Sequence, residues 1–143
     1  MASNSNTLVD FFGRNAEPIP EKEVVISNRF KDADGNPIKW KIRAIDAATH
    51  QKLRSEALDM DVGNDKRVKV KFNSAKRNLG SVAASVVYPD LRDAELQSYY
   101  GVSTPSALIG VMLLDDEFER LLDAVDSLSE DTKPDNLEEE AKN

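Results

Sequence analysis

Between Thr104-Pro105 and Leu128 the apolar residues Leu108, Val111, Leu114, Phe118, Leu121, Leu122, Val125 and Leu128 return mainly at steps of three or four. That spacing lays them along one stripe of an α-helix. Asp115, Glu119, Asp123 and Asp126 fill the other side. Thr104 is suited to accept from the free N–H groups of the first turn, and Pro105 loses no hydrogen bond at the first helical position. The pattern predicts a single long helix from Pro105 to about Leu128. A chain of 143 residues around such a helix is one domain, with or without tails, and can bury a core without disulfides or metal. The stripe is first of all a core face; the sharper reading is that part of it docks another protein.

The preceding chain mixes strand and helix signals. Residues 1–7 are small and polar, which predicts a disordered start. Leu8-Val9-Asp10-Phe11-Phe12 is an apolar patch, expected to tuck into the core or else to bind a partner as a short motif. Glu23 to Phe30 reads as a strand and Asp34-Gly35-Asn36-Pro37 as a turn. Ile38 to Ile45 is a second strand, with Ile38, Trp40, Ile42 and Ala44 facing away from Lys39, Lys41 and Arg43. Together they predict a β-hairpin, which must lay its apolar face on helices or find more strands, with Trp40 as a core anchor. Asp46 caps a helix running to about Met60. Arg67 to Phe72 alternates again, and is favoured as a third strand on that hairpin over an extended connection. Asn73 or Ser74 starts a helix through Val87-Tyr88 that Pro89 stops. Asp90 or Asp93 caps a short helix ended by Gly101. The residues after Ser129 are acidic and free of aromatics, the composition of a disordered tail. The expected organisation is a disordered start at 1–7, one α+β domain at 8–129, and an acidic tail at 130–143. The domain is mostly helical, an N-terminal hairpin on about four helices.

Charge and composition narrow the chemistry. The chain has no Cys, so thiol nucleophiles and Cys-based zinc sites are excluded. No apolar run approaches the length of a membrane span. The net charge of −7 is unevenly placed. Lys66 to Arg77 holds six bases and no acid, whereas Asp115 to Asn143 holds twelve acids and three bases. Overall acidity opposes nucleic-acid binding as the main role. The lone histidine, His50, sits in a polar helix with no nucleophile or orienting acid signalled nearby. Asp59, Asp61 and Asp65 do not make an EF-hand, which needs Gly at its sixth position and Glu at its twelfth. No phosphate-binding glycine loop and no GxSxG elbow occurs. Asp115-Asp116-Glu117 occupies consecutive helix positions and reads as a solvated face. The residues thus point to a binding or assembly protein, not an enzyme, with no cofactor and no metal.

A resemblance adds to this reading. Tyr88-Pro89-Asp90-Leu91, then Leu96…Tyr99-Tyr100-Gly101-Val102 into Thr104-Pro105, then Leu113-Leu114…Glu117-Phe118…Leu121 together resemble the XkdN/YqbN-like tail assembly chaperones of phages and prophages of Gram-positive bacteria. Leu8-Val9-Asp10-Phe11-Phe12 and the run ending at Trp40…Ile42…Ala44-Ile45 extend the likeness over most of residues 8–128, and the acidic tail is left unmatched by it. The motifs are packing and turn residues, so they are moderately specific.

The resemblance implies a non-enzymatic protein that coats the tape measure protein while the tail tube polymerises. It would act in the host bacterial cytoplasm and be absent from the mature virion. Its partners would be the tape measure protein and, as a second candidate, tail tube subunits, with self-association open and no role for nucleic acid or membrane. Two other classes compete: a minor structural tail protein, and a small nucleic-acid-binding or regulatory protein using residues 66–77. The exposed apolar positions expected to bind the partner are Phe11, Phe12, Tyr99, Tyr100 and Leu121.

Overall fold

The computed structural model describes residues 7–13, 17–130 and 134. It is α+β: among these residues, five α-helices accompany five strands in two small antiparallel sheets. The expected tails at 1–7 and 130–143 lie, apart from Thr7, Glu130 and Pro134, outside the described residues.

The main sheet is β1 (Glu21–Val24), β2 (Trp40–Arg43) and β5 (Val86–Tyr88), with β2 in the centre. On β2, Trp40 and Ile42 are buried while Arg43 is exposed, the expected period-two alternation. β1 pairs with β2 from Glu21↔Arg43 to Val24↔Trp40. The two strands therefore pair as expected, but β1 ends before Val25 and a long connection replaces the tight hairpin. Within that connection Gly35 takes φ +84 and a single bridge joins Lys31 to Pro37. The third strand of this sheet is not Arg67–Phe72. It is Val86–Tyr88, which had been expected to finish a helix. β-branched and aromatic residues favour extended backbone there, and Pro89 disfavours helix at Tyr88.

Helix α1 (Ala47–Glu56) is capped by Asp46, whose carboxylate accepts from Thr49 N–H at 2.8 Å. It stops four residues short of Met60. Leu58–Val62 is instead strand β3, paired residue for residue with β4 (Val68–Phe72) in a separate two-stranded sheet. Asn73 caps α2 (Ser74–Ser85), and Asp93 caps α3 (Ala94–Tyr99).

The expected long helix is two helices, α4 (Pro105–Met112) and α5 (Asp115–Ser127). Leu113 and Leu114 between them are extended, with ψ 144 and 163. Three acids in the first turn of α5 favour a new N-terminus here, because they meet the positive end of a helix dipole. The Glu117 carboxylate also accepts from Leu114 N–H at 2.8 Å, satisfying a donor that the break frees. The core lies between the β2 face and α2, α4 and α5. Trp40, Ile42, Val82, Leu108, Ile109 and Leu121 are almost wholly buried in it.

Candidate partner-binding surface

The pairing of β3 with β4 sorts their side chains completely. Leu58, Met60 and Val62 stand opposite Phe72, Val70 and Val68 on one face. Asp59 and Asp61 stand opposite Lys71 and Lys69 on the other. Cross-strand partners share a face, so one side of the ribbon is six apolar residues and the other is four alternating charges. All six apolar side chains are exposed, Met60 to 75 %. No helix or third strand covers them among the described residues.

An isolated two-stranded ribbon is marginal in water, and its root shows what holds this one. Asn73 N–H donates to the Ala57 carbonyl at 2.7 Å, and Asn73 Nδ2 donates to Asp59 at 3.0 Å. The Arg54 guanidinium lies 5.9 Å from the centre of the Phe72 ring, within cation–π range. The ribbon is thus an arm tied at its base and free along its length. Sequence reasoning missed it, although the signal was present: LDMDV and VKVKF carry the same alternation across a Gly63-Asn64-Asp65 turn.

The five positions expected on the surface separate. Phe11 and Phe12 are exposed on a 3₁₀ turn, Leu8–Phe11, and do not tuck into the core. Tyr99 is 82 % exposed at the end of α3, its ring 5.0 Å from that of Tyr100 in an edge-on pair. Tyr100 is half-buried against the core. Leu121 is fully buried and offers no surface: it lies on the inner side of α5, where the stripe continues the core. Val111 and Leu114 of the same stripe are exposed instead, because they flank the break.

His50 is half-buried beside an open cavity of about 680 Å³ that also touches Arg77, Ser81, Ser85 and Asp126. Among the described residues no three His, Cys, Asp or Glu side chains are grouped to hold a metal ion. No helix there is long and apolar enough to cross a membrane. Glu117 departs from the solvated face expected of its neighbours. It is buried, and Arg29 meets it with two hydrogen bonds. That guanidinium, with the Leu114 N–H and the Ser27 hydroxyl, holds the Glu117 carboxyl down to about 2 against the opposing cost of burial.

Exposed apolar faces of this kind on a small domain are typical of surfaces that meet other proteins. The family follows from the match of the chain itself. Residues 8–142 match the model of the phage XkdN-like tail assembly chaperone proteins, so the match takes in the acidic tail that the resemblance left out, and the chain belongs to that family. The crystal structure of the protein YqbN superposes with a TM-score of 0.69, covering 87 % of this chain and 96 % of that one at 22 % identity. That likeness shows the fold. No curated protein sequence matches the chain.

Proposed function

We propose that this protein binds the phage tape measure protein through exposed apolar surface and shields it while the tail tube forms, changing no bonds. The observation that carries the reading is the apolar face of β3 and β4, six side chains left in water by a chain of net charge −7. A long helical partner with an apolar stripe would aggregate if bare, and an acidic cover keeps such a complex dispersed. Phe11, Phe12 and Tyr99 add apolar contact area on the same principle.

Burying one such side chain contributes about 1.5–3 kcal/mol when complete. These are partly buried already, and association costs at least about 4 kcal/mol. Each copy therefore holds its partner weakly, and tail tube subunits displace it. The protein works in the host cytoplasm, with residues 8–129 as its folded unit, and leaves before the virion is complete. Co-expression with the tape measure protein encoded by the same phage tests this. The expected result is more soluble tape measure protein that co-purifies with the chaperone; unchanged solubility without co-purification overturns the reading. Mass spectrometry of purified virions is expected to lack the chain, which separates a chaperone from a structural tail protein.

A further inference from the structure

Two open cavities share a wall made by Ile19, Ala44 and Ile45. The larger, about 680 Å³, is also lined by Arg77, Ser81 and Ser85, one turn apart along α2, and by Val125 and Asp126 of α5. Ser81 is 8 % exposed and Ser85 1 %, and neither hydroxyl has a hydrogen-bond partner among the described residues. A buried polar group left in that state costs about 1–3 kcal/mol, so this face of α2 favours an occupant that brings donors and acceptors. The smaller cavity, about 430 Å³, is lined by Arg43 and Arg92. Both are exposed, and neither they nor Arg77 makes an ion pair among the described residues.

The chain itself runs into this groove. Ser129 and Glu130, at the root of the acidic tail, line the larger cavity. Pro134 is exposed, so an occupant drawn from the tail begins beyond it. The next six residues are Asp135-Asn136-Leu137-Glu138-Glu139-Glu140, and their order matches the groove. Leu137 suits the apolar wall of Ile19, Ile45 and Val125, while Asn136 and the backbone offer partners to the two serine hydroxyls. The glutamates that follow then meet Arg43 and Arg92. Asp126 and Glu130 repel acids at the near end, and there the sequence supplies Lys133. Asp46, the acid of the smaller cavity, already accepts from Thr49 N–H. The eight residues from Glu130 to Glu138 reach up to about 27 Å when extended, enough to pass from one cavity into the next. A small contact suffices, because a short tether holds the segment at an effective concentration in the millimolar range and no second molecule loses its freedom.

We infer that residues 135–140 of the acidic tail dock in their own chain's groove, over Ser81 and Ser85 and against Arg43 and Arg92. The tail is then a built-in competitor for any acidic, apolar segment that enters there. The inference does not rest on capture of the tape measure protein, because it concerns the isolated chain.

The chain has no Cys, so a nitroxide attached to Lys142→Cys is the sole label in the full-length protein, and its paramagnetic broadening is read on the backbone amides by NMR. The expected result is strong loss of intensity at Ala44, Thr49 and Arg92 and little at Met60 and Val70 of the arm. The loss is expected to weaken at about 1 M salt, where exposed charges are screened. A tail variant, Glu138→Gln with Glu139→Gln and Glu140→Gln, leaves the folded body untouched and is expected to restore the signals. Arg43→Glu with Arg92→Glu is expected to do the same from the other side, with a dispersed amide spectrum as the check that it folds. Absence of broadening around the groove overturns the inference. So does broadening that survives either variant, since it then reports a loose tail near its own root. Broadening centred on Lys69 and Lys71 assigns the tail to the arm and likewise overturns it.

Discussion

Arg29 and Glu117, 88 residues apart, are joined by two hydrogen bonds: Nη2 to Oε1 at 2.6 Å and Nε to Oε2 at 3.0 Å. The same guanidinium donates to the Met112 carbonyl at 2.8 Å, and the carboxylate accepts from Leu114 N–H. One pair thus fastens the loop after β1 to the end of α4 and the start of α5. Removing the carboxylate leaves a frayed helix start and a loop without its anchor. Glu117→Ala is expected to lower stability by about 2–3 kcal/mol, the usual range for losing charge-assisted bonds to a buried group. Its denaturation midpoint in urea measures this.

The pair also sets an acid limit. Glu117 titrates at about 2 in the folded protein and near about 4.3 when unfolded. The folded state therefore binds fewer protons than the unfolded chain between these values. The stabilisation is complete above about 4.3 and drains away as pH falls toward 2. Urea midpoints between pH 5 and pH 2.5 are expected to fall more steeply for the wild type than for Glu117→Gln, which has no such proton to take up.

Leu121 and Tyr99 separate a packing position from an exposed one. Leu121 is fully buried and Tyr99 almost fully exposed. Leu121→Ala is expected to cost about 2–5 kcal/mol through lost burial and a residual cavity. Tyr99→Ala is expected to change stability by less than about 0.5 kcal/mol, as surface substitutions do, and to reduce co-purification of the tape measure protein. Thermal melts and pull-downs of the two variants distinguish the roles.

The two helical glycines respond differently to alanine. Gly110→Ala is expected to stabilise by about 0.5–1 kcal/mol, because the new Cβ meets nothing and the helix gains propensity. At Gly80 the same gain is opposed by the displacement of Leu53, so the increase is smaller or absent. Midpoints of both variants measured together check the order.

Local features carried through to the structure. The caps at Asp46, Asn73, Asp93 and Thr104 all form, because a cap depends on residues within three positions of it. The Trp40–Ile42 face is buried as its alternation indicates. What depended on distant partners was not legible. Leu58 and Met60 are good helix formers, so they extended the helix reading until β4 was known to lie opposite. Val86–Tyr88 became a strand through β2, more than forty residues away. Glu117 looked like one more acid in a row because its partner, Arg29, carries no mark in the sequence. The resemblance identified the family; the alternation of the arm's two strands stood in the sequence, but their pairing with each other, apart from the main sheet, emerged only from the fold.

The tie between Asn73 N–H and the Ala57 carbonyl means that the chain leaves the body and returns to it at almost one point. Fifteen residues of ribbon, Leu58–Phe72, are then expected to tolerate shortening or lengthening while α1 and α2 keep their seats. A change of length or sequence in that loop alters the exposed apolar face without disturbing the buried contacts of the core.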